Sequence, residues 1–200
     1  SARYAAFQKH LLANEILVLA HHQQDQAETV LLRLLSGAGI HGLAAMQSID
    51  IREKFTIWRP LLALSRQQIE LWAAEMQLRN IQDQTNFDTS YDRAWCRAEL
   101  WPILEKRFPK MQQALARTSY LMQDAETILA DVLTQDWASC GNAAVLNLTP
   151  FRQLSAPRQR QLLSAWMKGE DLYRPAFDMV QRLFDEVIES KVDAQAALHW

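Results

Sequence analysis

The chain has 200 residues, 49% of them hydrophobic and 22% charged, and carries a formal net charge of −2. That balance is typical of a globular protein, excludes a disordered or fibrous one, and provides no general attraction to nucleic acid. No apolar run approaches the roughly 18 residues of a membrane span, and no cationic, apolar leader opens the chain. Cys96 and Cys140 lie far apart without metal-ligand spacing, as expected of reduced, buried thiols in a cytoplasmic protein.

In chain order, Tyr4, Phe7, Leu11 and Leu12 suggest a helix, and Ile16–Ala20 is an apolar run ending in His21 and His22. The run reads as a buried parallel strand. Such a strand needs neighbours on both sides, so the chain is expected to be an interior piece of a longer protein. A helix follows with Ala27, Val30, Leu31, Leu34 and Leu35 as its apolar stripe, stopped by the turn at Gly37–Gly42. At about 100° per residue, Asp25, Glu28 and Thr29 fall on the opposite face. Carboxylates near a helix start gain about 0.3–1 kcal/mol each from its dipole. That is ordinary helix-start chemistry, yet a strand's carboxyl end is also where open α/β sheets bind ligands.

Leu43–Met46 is then a short apolar segment, Asp50–Lys54 a polar turn, and Phe55–Trp58 a second strand closed by Arg59-Pro60. Ser65 and Gln68 have capping-box spacing ahead of Ile69, Trp72, Ala73 and Met76. Residues 79–89 form the longest irregular loop. Tyr91–Arg107 reads as a helix that Pro102 kinks or splits. Arg93 and Arg97 lie one turn apart on it and can reach a single anion, or pair locally with Asp92 and Glu99.

After Pro109 a long helix is predicted, with a seam of Met111, Leu115, Thr118, Met122, Ala125, Leu129 and Val132 in alternating steps of four and three. A second domain is expected to begin here. Ala143–Leu148 suggests a short strand, and Ser155 caps a helix holding Leu162, Leu163, Trp166 and Met167. Pro175 opens another helix with Met179, Val180, Leu183, Phe184, Val187 and Ile188 buried; an apolar run, AQAALHW, closes the chain. Cations outnumber acids from Ser90 to Tyr120. Arg152, Arg158, Arg160 and Lys168 form an acid-free stretch, whereas Asp124, Glu126, Asp131 and Asp136 form a cation-free one. Each is a solvated face or part of a nucleic-acid surface.

The stretch AHHQQDQAETVLLRLLSGAGIHGLAAM, ending at Met46, resembles the tRNA(Ile)-lysidine synthase family, whose pattern is close to AHHxDDQxET, LLRLxRGxG and GLxxM. RPLLALSRQQIELWA, DQTNFDTSYDRAWCR and LWPILEKRFP agree with later family segments in the same order, so the resemblance covers residues 1–110. It implies a partial Rossmann-like, adenine nucleotide α-hydrolase-like α/β part over 1–108, the C-terminal portion of an ATP-dependent tRNA-modifying catalytic domain. A mainly α-helical tRNA-binding domain over 109–200 follows, making the chain helix-rich overall. The implied reaction adenylates C2 of cytidine 34 in the CAU anticodon of tRNA(Ile) with ATP. The ε-amine of L-lysine then displaces AMP and gives lysidine.

By position, His21, Asp25 and Glu28 match family active-site residues. The resemblance assigns Asp25 and Glu28 to the lysine amine or a metal, with Glu28 the better base and Asp25 a candidate Mg2+ ligand, and His21 to phosphate or the activated base. Arg93 and Arg97 match family arginines suited to phosphate or tRNA backbone; Arg158 and Arg160 join them as candidate tRNA or phosphate contacts. ATP and Mg2+ are the implied cofactors, tRNA(Ile) and L-lysine the implied partners. A homodimer is compatible with the sequence.

Three positions depart from the pattern. Gln24 stands where the family has its first Asp, Ser36 where it has Arg, and Ala94 where it has Asn. The family's SGGxDS pyrophosphate loop is not found in the chain and no Walker-type loop replaces it, so this piece alone is expected to be inactive. Two alternatives stand beside the synthase: a cytidine thiolase of the same ATPase class, which usually brings CxxC pairs, and a non-catalytic tRNA-binding module.

Overall fold

The computed structural model describes residues 6–7, 9–12, 15–52, 55–79, 88–142, 144–169 and 175–188. The expectations for Tyr4, for most of the 79–89 loop and for AQAALHW therefore lie outside the described residues. The chain forms two compact units, Ser1–Glu126 and Thr127–Trp200. As the sequence predicts, helix dominates and the sheet is small.

In the first unit, β1 (Ile16–Val18) pairs in parallel with β3 (Thr56–Trp58), and β2 (Ile49–Ile51) pairs antiparallel to β3's other edge. The sheet order is β1-β3-β2. Leu17, Ile57 and Asp50 share one row across the three strands, and Ile57 is fully buried. The other face carries Ile16, Val18, Trp58, Ile49 and Ile51, all exposed. β1 is thus not the two-sided buried strand expected: Ile16 is 54% and Val18 55% exposed, because the described residues cover only one face of the sheet. The polar turn expected at Asp50–Lys54 is also corrected. Asp50 sits inside β2, where a strand's alternation places it on the same face as Ile57.

Helix α1 (Gln23–Leu35) follows β1, and its first backbone N–H, from Gln23, donates to Leu64 O at 2.9 Å. Its end is a tight reversal in which Gly37, at φ 75°, donates to Leu34 O and Ala38 donates to Arg33 O. The leucine stripe is only partly buried. Gln26, Ala27, Glu28 and Val30 are inside, while Leu34 and Leu35 are exposed. The helix meets its neighbours through Ala27, Leu31 and Leu32, which pack with Cys96, Trp101 and Met111, and this rotates Glu28 inward.

The single turn α2 (Ile40–Leu43) leads to Ala45 in the left-handed region at φ 54°. α3 (Arg66–Glu75) starts with the predicted capping box: Ser65 Oγ accepts from Gln68 N, and Gln68 Oε1 accepts from Ser65 N. α4 (Asp92–Trp95) runs through one π-helical turn, Cys96–Leu100, into α5 (Trp101–Arg107). The expected disturbance at Pro102 takes this form. Trp101 N–H reaches back five residues to Cys96 O, immediately before the proline that has no N–H to give.

The long helix α6 is Met111–Cys140. The division between the units falls within it, after Glu126, whereas the sequence suggested a second domain from residue 109. Its inward side includes Met111, Ser119, Asp136 and Cys140, while Thr118, placed in the seam by sequence, is exposed. One polar residue shift brings Ser119 inside because Gln26 supplies a hydrogen-bond partner there.

In the second unit, Cys140, Phe151, Leu162, Leu163, Met167, Val180, Leu183 and Ile188 form the core. They come from the end of α6, the single turn α7 (Leu148–Phe151), α8 (Ala156–Lys168), α9 (Phe177–Leu183) and a π-helical turn, Phe184–Ile188. Of the strand expected at Ala143–Leu148, whose first residue lies outside the described ones, the described residues form a single bridge, Gly141 to Leu146, and Leu148 already belongs to α7. Gly141 is required: its φ is 133°, and a Cβ there would lie 2.2 Å from Val145 O.

Candidate functional site

β1 hands the chain to α1 through His21 and His22. Asp25, in the first turn, folds its carboxylate back so that Oδ2 accepts from the His22 backbone N–H at 3.0 Å. His22 Nδ1 stands 3.4 Å from the same oxygen. One turn later Glu28 points into the protein and is 0% exposed.

The partners of these carboxylates come from the helix that begins with α4. Arg97 donates from Nε to Glu28 Oε1 at 2.5 Å and from Nη2 to Oε2 at 2.8 Å, a two-pronged grip. Nη2 also reaches Asp25 Oδ1 at 3.1 Å. Arg93 adds its Nε at 3.4 Å from Glu28 Oε2 and donates from Nη2 to Thr29 Oγ1 at 2.7 Å. Gln24 Nε2 donates to Glu28 Oε1 at 3.1 Å. The alternative in which these arginines pair with Asp92 or Glu99 is not what forms; both turn to α1.

Both oxygens of Glu28 are therefore engaged, Oε1 by Arg97 and Gln24 and Oε2 by Arg97 with Arg93 nearby. Asp25 is 14% exposed and offers the carboxylate edge nearest solvent. The hydrogen bond and charge of Glu28 raise the pKa of Arg97 above its ordinary value. Burial pulls His21 below its ordinary value, opposed by Asp25 and assisted by Arg59, Arg93 and His22. Burial, followed by the Glu28 charge, pushes the Cys96 thiol up.

A magnesium ion at Asp25 does not fit these groups. Both Asp25 oxygens already accept hydrogen bonds, one from Arg97 and the other from the His22 backbone N–H, and Glu28 is held by Arg97, whereas Mg2+ seeks several oxygen ligands in near-octahedral array. Among the described residues no three His, Cys, Asp or Glu side chains are grouped to hold a metal.

Gln26, on the same helix, is buried and ties α1 to the Met46 backbone and to α6. Its amide pairs with Met46 as a strand would, Nε2 to O at 2.8 Å and Oε1 from N at 3.0 Å, and Nε2 also donates to Ser119 Oγ at 2.9 Å. Gln123 Nε2 reaches Ala44 O and Met46 O from α6. This clamps the left-handed turn at Ala45.

Five sequence-predicted residues, His21, Asp25, Glu28, Arg93 and Arg97, thus come together in the first unit. Arg158 and Arg160 lie in the second. Arg158 is occupied: its Nε donates to Asp136 Oδ2 at 3.1 Å and its Nη2 to the other oxygen of that buried carboxylate. Arg160 makes no ion pair with a described residue. Sequence reading missed Gln24, Gln26 and Arg59. Arg59 is 3% exposed at the end of β3, and its only sequence signal was its place before Pro60.

A family model described as PP-loop domain matches residues 1–104, and one described as TilS substrate binding domain matches residues 146–200. The chain is 62% identical over 199 residues to a tRNA(Ile)-lysidine synthase of Acinetobacter baylyi, covering 100% of this chain and 43% of that protein. It is 37% identical to the synthase of Shigella flexneri and 36% identical to that of Escherichia coli O157:H7, covering 98% of this chain and 46% of the relative in each case. The chain spans less than half the length of these relatives. Matched over more than half of its residues by that family's model, the chain belongs to the PP-loop domain family, and throughout its length it is similar to tRNA(Ile)-lysidine synthases.

Proposed function

We propose that the chain is part of a tRNA(Ile)-lysidine synthase: an ATP-dependent ligase that joins L-lysine to C2 of cytidine 34 in the CAU anticodon of tRNA(Ile). The observation that carries this reading is the Arg97 grip on Glu28 and Asp25 at the carboxyl end of a parallel strand pair, within the segment that resembles the family. The cytidine attacks the α-phosphorus of ATP and releases pyrophosphate; the lysine ε-amine then adds at C2 and AMP departs.

In this reading Glu28 is the fixed anchor of Arg97, because it is wholly buried and both its oxygens are already engaged. Asp25 receives the lysine ammonium and its proton, since its carboxylate is the one that substrate can approach. This moves the base role from Glu28, where the resemblance placed it, to Asp25. Arg93 has part of its guanidinium in solvent and is the group that meets phosphate. His21 contacts the phosphate or the activated base. Magnesium would accompany the nucleotide phosphates and neutralise part of their charge. Arg160 contacts the tRNA backbone, and a tRNA substrate places the work in the cytoplasm. No helix among the described residues is long and apolar enough to cross a membrane.

The test is incorporation of labelled lysine into unmodified isoleucine tRNA by the full-length protein with ATP and magnesium. Incorporation at the anticodon cytidine supports the reading. Bound tRNA with no incorporation would replace it with a binding module, and sulfur transfer in its place with a thiolase.

A further inference from the structure

Arg59 leaves the carboxyl end of β3 one residue after Trp58, while His21 leaves the carboxyl end of the adjacent parallel strand β1; Leu19 N–H donates to Trp58 O at 2.9 Å between them. The Arg59 side chain is 4% exposed. Such a buried guanidinium is normally matched by a carboxylate and filled with acceptors. This one is not. Its Nη1 donates to Gln47 O at 2.8 Å, and its nearest carboxylate, Asp50, is 3.8 Å from Nη2. That carboxylate oxygen already accepts from Arg52 Nη2 at 2.7 Å and Nε at 3.2 Å. Arg59 Nε is buried with no acceptor among the described residues, and so is His21 Nδ1.

The turn that starts at Arg59 returns to the head of α1, where Leu64 O accepts from Gln23 N–H. Two unpartnered nitrogens, one of them on a permanent cation, therefore stand at the ends of neighbouring parallel strands beside a helix start. Their charges interact, since Arg59 lowers the proton affinity of His21. An oxyanion would supply the missing acceptors and add to the charge that Asp50, shared with Arg52, offers at 3.8 Å, and the helix start favours the same sign.

We propose that Arg59 and His21 form an oxyanion seat for a phosphate group, with Arg59 as a ligand-binding residue. This deepens the nucleotide-dependent reading above and rests on it for the source of the phosphate, a nucleotide rather than free inorganic phosphate. Bound phosphate would take one oxygen to Arg59 Nε and another to the His21 imidazole.

The experiment uses the full-length protein with isotope-labelled histidine, and follows the His21 imidazole resonance by NMR as inorganic phosphate, and separately AMP, is added at constant pH and ionic strength. The expected result is a saturable shift of that resonance, with AMP acting at lower concentration than phosphate. In Arg59→Lys, which keeps the charge but loses the forked donors, the midpoint should rise roughly tenfold or more. His21→Asn, which leaves the guanidinium in place, serves as a second variant with weakened AMP binding by calorimetry if Arg59 variants fail to fold. No saturable shift in the wild type, or an unchanged midpoint in folded Arg59→Lys, would overturn the seat. Equal midpoints for phosphate and AMP would overturn the nucleotide source. A protein that shows the AMP shift yet incorporates no lysine would retain the seat and lose the synthase reading.

Discussion

Arg97 closes its guanidinium fork on Glu28, one nitrogen to each carboxylate oxygen, at 2.5 and 2.8 Å. Glu28 is wholly buried, so removing the fork strands a charge with only Gln24 and Arg93 left to meet it. Arg97→Ala should therefore cost about 3–5 kcal/mol of folding stability as well as activity. Urea unfolding followed by circular dichroism measures this. Wild-type stability in that variant would show that the pair is not structural.

Gln26→Ala should destabilise by about 1–3 kcal/mol, because the buried Met46 N–H and Ser119 hydroxyl lose their amide partner. The same unfolding assay applies, and Gln26→Glu should not restore the loss, since a carboxylate cannot donate to Met46 O. An unchanged midpoint for Gln26→Ala would mean that the Ala44–Met46 turn holds without it.

The two arginines of α8 should separate cleanly. Arg158→Ala leaves buried Asp136 without its guanidinium and should lower the melting temperature. Arg160→Ala should leave melting unchanged and weaken tRNA binding, reducing the salt dependence of the affinity by about one phosphate contact. Calorimetry and filter binding at several salt concentrations distinguish the two, and identical behaviour would reject the division of labour.

Burial holds the His21 pKa below its ordinary value of 6.5. The fold prefers neutral His21, so the unfolded chain takes up its proton first as pH falls. The stability present above pH 6.5 is progressively lost below it, until folded His21 also protonates. Melting curves from pH 7.5 to 5 should show a steeper decline in the wild type than in His21→Gln. Parallel curves would contradict the assignment.

Cys96 packs beside Glu28 with its thiol pushed above the ordinary range and no exposed surface. Alkylation of folded protein at pH 8 should leave it unmodified while unfolded protein reacts fully, as mass spectrometry would show. Rapid modification in the folded state would mean that the site opens readily.

The grouping of His21, Asp25 and Glu28 was legible because all three lie on one strand-to-helix junction, where spacing alone sets neighbours. The direction in which Glu28 points was not. That depends on Arg93 and Arg97, which approach from more than sixty residues away. The resemblance named all five residues but could not show that one carboxylate is consumed by an arginine and the other is not. The capping box at Ser65 was readable for the same local reason, as was the break at Pro102. Strand β2 was missed because a three-residue Ile-Asp-Ile segment has too few alternations to tell from a turn. Thr118 and Ser119 were exchanged because a heptad seam counts apolar positions, and here a polar residue is inside to meet Gln26.

Asp25, oriented by Arg97 and the His22 backbone, is in the proposed mechanism the carboxylate that acts on lysine. The most direct measurement is labelled-lysine incorporation by the full-length Asp25→Asn protein, with binding of unmodified isoleucine tRNA measured on the same sample. Wild-type tRNA binding is expected, with incorporation reduced about a hundredfold or more. Incorporation at the wild-type rate would contradict that role.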